Sequence, residues 1–213
     1  MDKLIESAEI FIKSRLQAAI GDGHGPDHTF RVLKHAIDIA NEIPAADINT
    51  VKLAALLHDV ERPAESAAQG RIDHAAAGAE TAYRFLLEHS CDAAFAQRVA
   101  RCISQHRFRS DNAPDTIEAK ILYDADKIDS LGAVGIGRAF LFAGRAGAKL
   151  HNTADQAVNA PAYSTEDTAY REYLVKLSRI PEKMLTQPGK RRALELKEFM
   201  ERFFKQLNKE FFG

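Results

Sequence analysis

The sequence predicts an all-α protein in a single domain, and three observations carry that expectation. Apolar residues recur at three- and four-residue spacings along most of the chain, no segment alternates apolar and polar residues between hairpin turns, and no internal repeat divides the 213 residues. That length can bury one sizeable core, and a composition of 46% hydrophobic and 28% charged residues belongs to a folded chain rather than a disordered one.

Each element follows from its own pattern. Residues 3–20 set Leu4, Ala8, Phe11, Ile12 and Leu16 on one helical face, and Gly21, Gly23, Gly25 and Pro26 then end the helix in a tight loop. A second helix over 28–43 carries Val32, Leu33, Ala36, Ile37 and Ala40 and stops before Pro44. The segment INTVKLAALLHDVE at 48–61 is apolar on most sides, so it is expected at the centre, capped by Asn49 or Thr50. From Pro63 to Gly70 the chain is rich in Ala, Ser and Gly and reads as a soft connection. Asp73 can cap a long helix bearing Ala76, Ala79, Tyr83 and Leu86. Helices follow over 93–106 (Phe95, Val99, Cys102, Ile103) and 115–126 (Ile117, Ile121, Leu122, Ala125). Residues 132–147 keep a helical stripe through Ile136, Ala139, Phe140 and Ala143 despite five glycines, which would permit close backbone approach. A long loop is expected over 145–165, then closing helices near 165–179 and 189–210.

Charge and cysteine usage narrow the function. Lys and Arg number 29 against 30 Asp and Glu, so the basic excess of a nucleic-acid binder is missing, while a small phosphorylated ligand needs only a few local cations. Cys91 and Cys102 form neither a Cys-x-x-Cys pair nor a disulfide framework and read as small apolar residues in a reducing compartment. Asp2, Glu6 and Glu9 interrupt the apolar residues at the start, and no run approaches a membrane-spanning length, so a cytoplasmic protein without a membrane partner is expected. The stretch 190–211 reads as an amphipathic helix with a salt-bridged face, in a monomer or a homodimer.

The polar residues that interrupt the apolar faces are the informative ones. His58-Asp59 ends the most apolar helix, where a carboxylate should not be buried without a partner. His28 opens the preceding helix with Arg31 one turn later, His74 opens the next long helix, and His106 continues the apolar face of Val99 and Cys102. Asp124, Asp126 and Asp129 cluster in LYDADKID. Taken singly, each histidine has an ordinary reading as a packed or helix-end residue, Asp73 as a cap and Asp129 as the partner of a nearby cation. Taken together, five helices could each bring one imidazole or carboxylate to a common centre. That donor set, poor in thiolate, suits a first-row divalent ion such as Mn, Fe, Co, Ni or Zn. Spacing alone leaves the metal centre and the scattered helix-end residues both open.

The order His28, His58-Asp59, Asp126 resembles the HD superfamily of metal-dependent phosphohydrolases. DHTFRVLKHA at 27–36, AALLHDVE at 54–61, RIDHAAAGAETA at 71–82, ISQHRF at 103–108 and LYDADKIDSLGAVGIGRAFLFAG at 122–144 resemble one small bacterial branch of it, and the resemblance extends in general pattern through 172–204. It implies a helical bundle with a central metal site, its core over about 20–130 and the terminal helices packed on it. His28, His58, Asp59 and Asp126 would be the metal ligands, and His74 and His106 would hold a second metal or line a phosphate site. The ion would be Mn or another first-row ion (Fe, Co, Ni) or Mg, with no organic cofactor. The implied activity is hydrolysis of a nucleoside triphosphate to monophosphate and pyrophosphate. The alternatives are a cyclic-nucleotide phosphodiesterase, a nucleotide phosphatase and a non-catalytic metal- or nucleotide-binding module. One position departs: relatives often carry His-Phe where this chain has Glu172 and Tyr173.

Phosphoryl chemistry adds further candidates. Arg31, Arg62, Arg107, Arg145 and Lys149 are candidate cations for the phosphate oxygens, and His106 a further substrate contact. Lys127, beside a ligand, is a candidate catalytic cation. Glu61, about one turn past His58, is the preferred base or water-orienting group, with Asp124 second. His74 could protonate the leaving oxygen if it is not a ligand. The 145–165 loop, with His151, could close over the substrate, and Tyr163 or Tyr170 could stack on a base.

Overall fold

Among the described residues, helical periodicity becomes eleven α-helices and one 3-10 segment of several residues, and no strand occurs. The fold is all-α. The structure is a computed structural model that describes residues 1–17, 23–107 and 112–213; the expected turn at Gly21 and the end of the first predicted helix at 18–20 lie outside the described residues. The chain divides into two compact units, Met1–Asp126 and Lys127–Gly213.

In the first unit the apolar segment is central, as its pattern requires. Helix α3 (Ile48–Leu57) buries Val51, Leu53, Ala54, Ala55, Leu56 and Leu57 and packs against α1 (Asp2–Arg15), α2 (Pro26–Ala40) and α6 (Ala93–Gln105). Each buried leucine stabilises this arrangement by roughly 2 kcal/mol. Its cap is Asp47, which accepts from the backbone N–H groups of Asn49 and Thr50 at 3.0 and 3.4 Å; the two residues expected to cap are the ones capped. Pro26 opens α2 instead of belonging only to the preceding turn, since a first-turn residue needs no N–H.

Helix α3 stops at Leu57, so His58–Glu61 form a turn rather than a last helical turn. The segment read as soft is helical at Arg62–Ala67 (α4), opened by Pro63 and closed by Gln69 and Gly70 at positive φ. Asp73 caps α5 (His74–Glu88), and Asp92 caps α6. On α5, a Cβ at Gly78 would lie 3.4 Å from the His58 carbonyl oxygen and 3.6 Å from Ile103, which brings α5 close to the turn and to α6. Thr116, accepting from the Ala119 N–H at 3.2 Å, starts α7 (Ile117–Ile128), which carries Asp124 and Asp126.

The second unit contains α8 (Gly132–Arg145), α9 (Ala154–Asn159), α10 (Ala169–Val175), the 3-10 segment Leu177–Lys183 and α11 (Gln187–Phe212). The expected 145–165 loop holds α9, fixed by a capping box between Thr153 and Gln156. The helix expected over 165–179 is split, because Pro181 cannot donate a backbone hydrogen bond and the chain tightens into 3-10 geometry. Tyr170 and Tyr173 are core residues packed on Phe204, with ring centroids 5.3 and 4.6 Å away, so Tyr170 is not available to stack on a base. His151 is buried too, its Nε2 2.8 Å from Asn208 Oδ1 and its ring against Tyr170, Phe211 and Phe212, so it belongs to packing and not to a closing loop.

Two glycines of α8 separate close approach from mere tolerance. A Cβ at Gly135 would sit 2.1 Å from the Ser130 carbonyl oxygen, whereas one at Gly137 would meet nothing within 4 Å. Gly135→Ala is therefore expected to cost about 2 kcal/mol or more through forced backbone movement. Gly137→Ala should stabilise by up to about 1 kcal/mol through helix propensity. Urea unfolding of both variants beside the parent checks the contrast.

Candidate metal centre

The turn after α3 organises the polar residues of the first unit. His58 and Asp59 occupy its first two positions, and the change of direction lets both side chains turn to one side. His28 comes from the first turn of α2, Asp126 from α7, His74 from the first residue of α5 and His106 from the C-cap of α6. His28, His58, Asp59, His74 and His106 are buried, while Asp126 is partly exposed.

Asp59 is shared by the cluster. Its Oδ2 lies 3.1 Å from His24 Nδ1, 3.6 Å from His28 Nε2 and 3.7 Å from His58 Nε2. Its Oδ1 lies 3.1 Å from His74 Nε2 and 3.8 Å from His106 Nε2. Asp126 Oδ1 approaches His28 Nε2 at 3.5 Å, and His28 and His58 present Nε2 atoms 3.4 Å apart. Among the described residues four donor groups have their ligand atoms within 4.8 Å of one another: His24, His28 and Asp59; His28, His58 and Asp126; Asp59, His74 and His106; and, behind the His74 ring, Glu65, Asp73 and His74. Ligand atoms about 2.1 Å from one ion stand roughly 3 to 3.5 Å apart, and the separations here, 3.1 to 3.8 Å, run from that range to slightly beyond it.

The tautomers say what fills such a space. His58 Nδ1 donates to the Ala55 carbonyl at 2.8 Å and His106 Nδ1 to the Ile103 carbonyl at 2.7 Å, because a carbonyl can only accept. His74 Nδ1 donates to the Glu65 carboxylate at 2.7 Å. In neutral rings the Nε2 atoms then carry lone pairs, and those of His74 and His106 face each other at 3.2 Å. Only a cation or an added proton between them relieves that repulsion. Burial, with His58 nearby, drives the His106 imidazole down to about 3, and burial lowers His58 as well, so the proton is disfavoured. Burial opposes ionisation of Asp59, yet His58, His24, His74 and His28 outweigh it and hold the carboxyl well below its ordinary range. Neutral imidazoles around an ionised carboxylate fit a divalent metal ion.

The sequence candidates separate on this geometry. His28, His58, Asp59, Asp126, His74 and His106 come together, while the clusters among the described residues contain neither Glu61 nor Asp124. Glu61, the expected base, lies apart from these clusters: its carboxylate binds Arg15 at 2.7 Å and Thr81 Oγ1 at 2.9 Å, tying α1 and α5 to the turn. With α3 ended at Leu57, the helical spacing that aimed Glu61 at the site does not exist. Asp124 is fully buried on α7. Arg62 and Arg107 both lie against the cluster, each with a guanidinium nitrogen 3.3 Å from His74 Nδ1. Arg31 pairs with Asp27 at 2.7 Å. In the second unit, Arg145 is exposed at the end of α8 and Lys149 pairs with Glu166. Two residues at the cluster were not anticipated. His24 stands four places before His28 in a glycine-rich stretch that reads only as a turn, and Glu65 lies in the segment mistaken for a soft connection.

Comparison with known proteins agrees with the geometry. The HD domain family model matches residues 26–131. YpgQ, an uncharacterized protein of Bacillus subtilis, is 32% identical over 212 residues, covering 95% of this chain and 93% of that protein. The chain belongs to the HD superfamily of divalent-metal-dependent phosphohydrolases. The crystal structure of B. subtilis YpgQ in complex with ADP superimposes with a TM-score of 0.74 at 30% identity, over 98% of each chain. An HD-superfamily hydrolase from Bacillus thuringiensis gives a TM-score of 0.75 at 27% identity, over 98% of this chain and 97% of that one. A predicted HD superfamily hydrolase from an uncultured Thermotogales bacterium gives 0.70 at 26%, over 96% and 91%. No helix among the described residues is long and apolar enough to cross a membrane.

The buried imidazoles make acid sensitivity a test of this electrostatic picture. Unfolded histidine protonates near 6.5, whereas folded, metal-free His106 does so near 3 and His58 below its ordinary value. Between those limits the unfolded chain binds more protons, so stability falls as the pH drops through the window, by up to about 1.4 kcal/mol per pH unit for each group. Asp59, depressed from 3.8, adds a loss only below that value. Urea unfolding of chelator-treated protein should show the decline between pH 6.5 and 4, and His106→Leu should remove roughly a third of its slope, since burial lowers His24 as well as His58. A flat profile would contradict the burial argument.

Proposed function

We propose that the cluster holds two divalent ions sharing Asp59, one with His28, His58 and Asp126 and the other with His74 and His106. We further propose that the enzyme hydrolyses a nucleoside triphosphate to monophosphate and pyrophosphate. The observation that carries this reading is the division of the Asp59 carboxylate, whose Oδ2 faces His28 and His58 while Oδ1 faces His74 and His106. The complex of YpgQ with ADP supports a nucleotide as the substrate class. Manganese is the ion proposed here, and the mixed imidazole and carboxylate donor set admits iron, cobalt and nickel as well. The free thiols Cys91 and Cys102 support a reducing, cytoplasmic setting.

A bound divalent ion supplies an acidified water and offsets negative charge on the phosphate oxygens. The chain's own residues do the rest. Asp59 and Asp126 balance the charge of the centre. The main-chain bonds at His58 and His106 hold those Nε2 lone pairs inward without cost at the moment of reaction. Arg62 and Arg107, beside His74, offer planar donors to phosphate oxygens, and Arg31, one turn past His28 in sequence, and Lys127, the residue after Asp126, are the further candidate cations.

A second reading has one observation in its favour. The Glu65–His74 pair at 2.7 Å is also what an imidazole acid would need, so a single-ion centre could leave His74 to protonate the leaving oxygen. Ion count separates the two, with two per chain expected and one per chain favouring the second. Asp59→Ala and Asp126→Ala should lose metal and at least 10³-fold of turnover while keeping a helical circular dichroism spectrum. A nucleotide screen that detects pyrophosphate and phosphate separately should find pyrophosphate. Release of phosphate alone would favour the phosphatase alternative, and full activity of metal-stripped Asp126→Ala would end the metal reading.

A further inference from the structure

Three imidazoles of the cluster are aimed by a bond at Nδ1, and the three bonds are of two kinds. His58 and His106 follow the last turns of α3 and α6, where the final helical carbonyls have no intrahelical donor. Each ring bonds a carbonyl three residues back, at Ala55 and Ile103, the latter also accepting the His106 backbone N–H at 3.3 Å. His74 cannot do the same, because it is the first residue of α5 and the unpaired main-chain groups at a helix start are N–H donors. An acceptor for its Nδ1–H has to come from a side chain of another element.

Glu65 is that side chain. Its Oε2 accepts from His74 Nδ1 at 2.7 Å and from Arg62 at 2.9 Å, and its Oε1 accepts from Arg107 at 2.5 Å. Arg107 also binds Asp73, the α5 cap, at 3.1 Å. The Glu65 side chain is 12% exposed, so its bonds are shielded from water. One carboxylate thus joins α4, the start of α5 and the end of α6 behind the His74 ring, while the opposite ring nitrogen faces Asp59 Oδ1 and His106 Nε2 at 3.1 and 3.2 Å.

We infer that Glu65 is the positioning residue of the His74–His106 half of the centre: it sets the His74 tautomer with Nε2 unprotonated and fixes the ring toward Asp59. This rests on the two-ion reading above. It gives α4, a six-residue helix without a buried residue of its own, a role in the site.

The test compares parent, Glu65→Ala, Glu65→Gln and His74→Ala as full-length chains, each checked for an unchanged circular dichroism spectrum. In protein labelled with ¹⁵N-histidine and loaded with diamagnetic Zn²⁺, long-range ¹H–¹⁵N spectra should show His74 as the Nδ1–H tautomer in the parent and in Glu65→Gln, whose amide oxygen still accepts. Glu65→Ala should show mixed tautomers, an effect that general loosening of the fold would not confine to one ring. Calorimetric titration with Mn²⁺ alone should then give two binding phases in the parent. In Glu65→Ala the weaker phase should lose about 10- to 100-fold in affinity with the tighter one unmoved, and Glu65→Gln should recover part of it. An unchanged His74 tautomer and unchanged weaker phase in Glu65→Ala overturn the inference. A parent whose Mn²⁺ isotherm is the same as that of His74→Ala overturns the two-ion reading instead, and the tautomer spectra still judge the positioning.

Discussion

A carboxylate that is almost wholly withdrawn from water, with imidazoles on both of its oxygens, is the constraint from which the first unit's design follows. Asp59 is 3% exposed and sits in the middle of a helical core. Burying that charge would cost several kcal/mol without compensation. The compensation comes from five histidines on four segments, so each of those segments has to arrive with its polar residue at the right end. The helix lengths answer to this. Helix α3 ends one residue before His58, α5 begins at His74 and α6 ends one residue before His106.

Helix ends also explain why the site is made mostly of helix-terminal residues. A side chain in mid-helix is aimed by its neighbours on the same face, whereas one at an end can use the unpaired main-chain groups there. The buried imidazoles need such anchoring, because a flipped ring would turn its lone pair away from the centre. Packing complements it. Gly78 brings α5 against the carbonyl of His58, so the turn that carries Asp59 is held from behind by a helix surface with no side chain in the way.

Much of this was legible in the sequence, for identifiable reasons. The apolar periods located nine of the eleven helices, since long amphipathic segments carry a redundant signal. The histidines and aspartates that interrupt those faces are largely the ones that meet. What escaped was decided by chain direction rather than by pattern. Extending α3 through Glu61 aimed that carboxylate at the centre, but the helix stops four residues sooner and Glu61 turns to Arg15 and Thr81. The six-residue α4 is too short to show a period, so Glu65 was invisible within an Ala- and Ser-rich stretch. His24 was masked by its glycines. In the second unit, Tyr170 and His151 looked available because aromatic and polar residues in a loop resemble ligands until their packing partners on α11 are known.

The contrast between main-chain and side-chain anchoring bears on how such a centre diversifies. Substitution at Ala55 or Ile103 answers to core packing but leaves in place the carbonyls that hold His58 and His106, so those two anchors do not depend on side-chain identity. His74 enjoys no such independence, because its anchor is a single glutamate on a short helix. Descendants of one ancestral protein could therefore dismantle one half of the centre by ordinary substitution and keep the other, which offers a structural route by which a single scaffold comes to serve different phosphate chemistries.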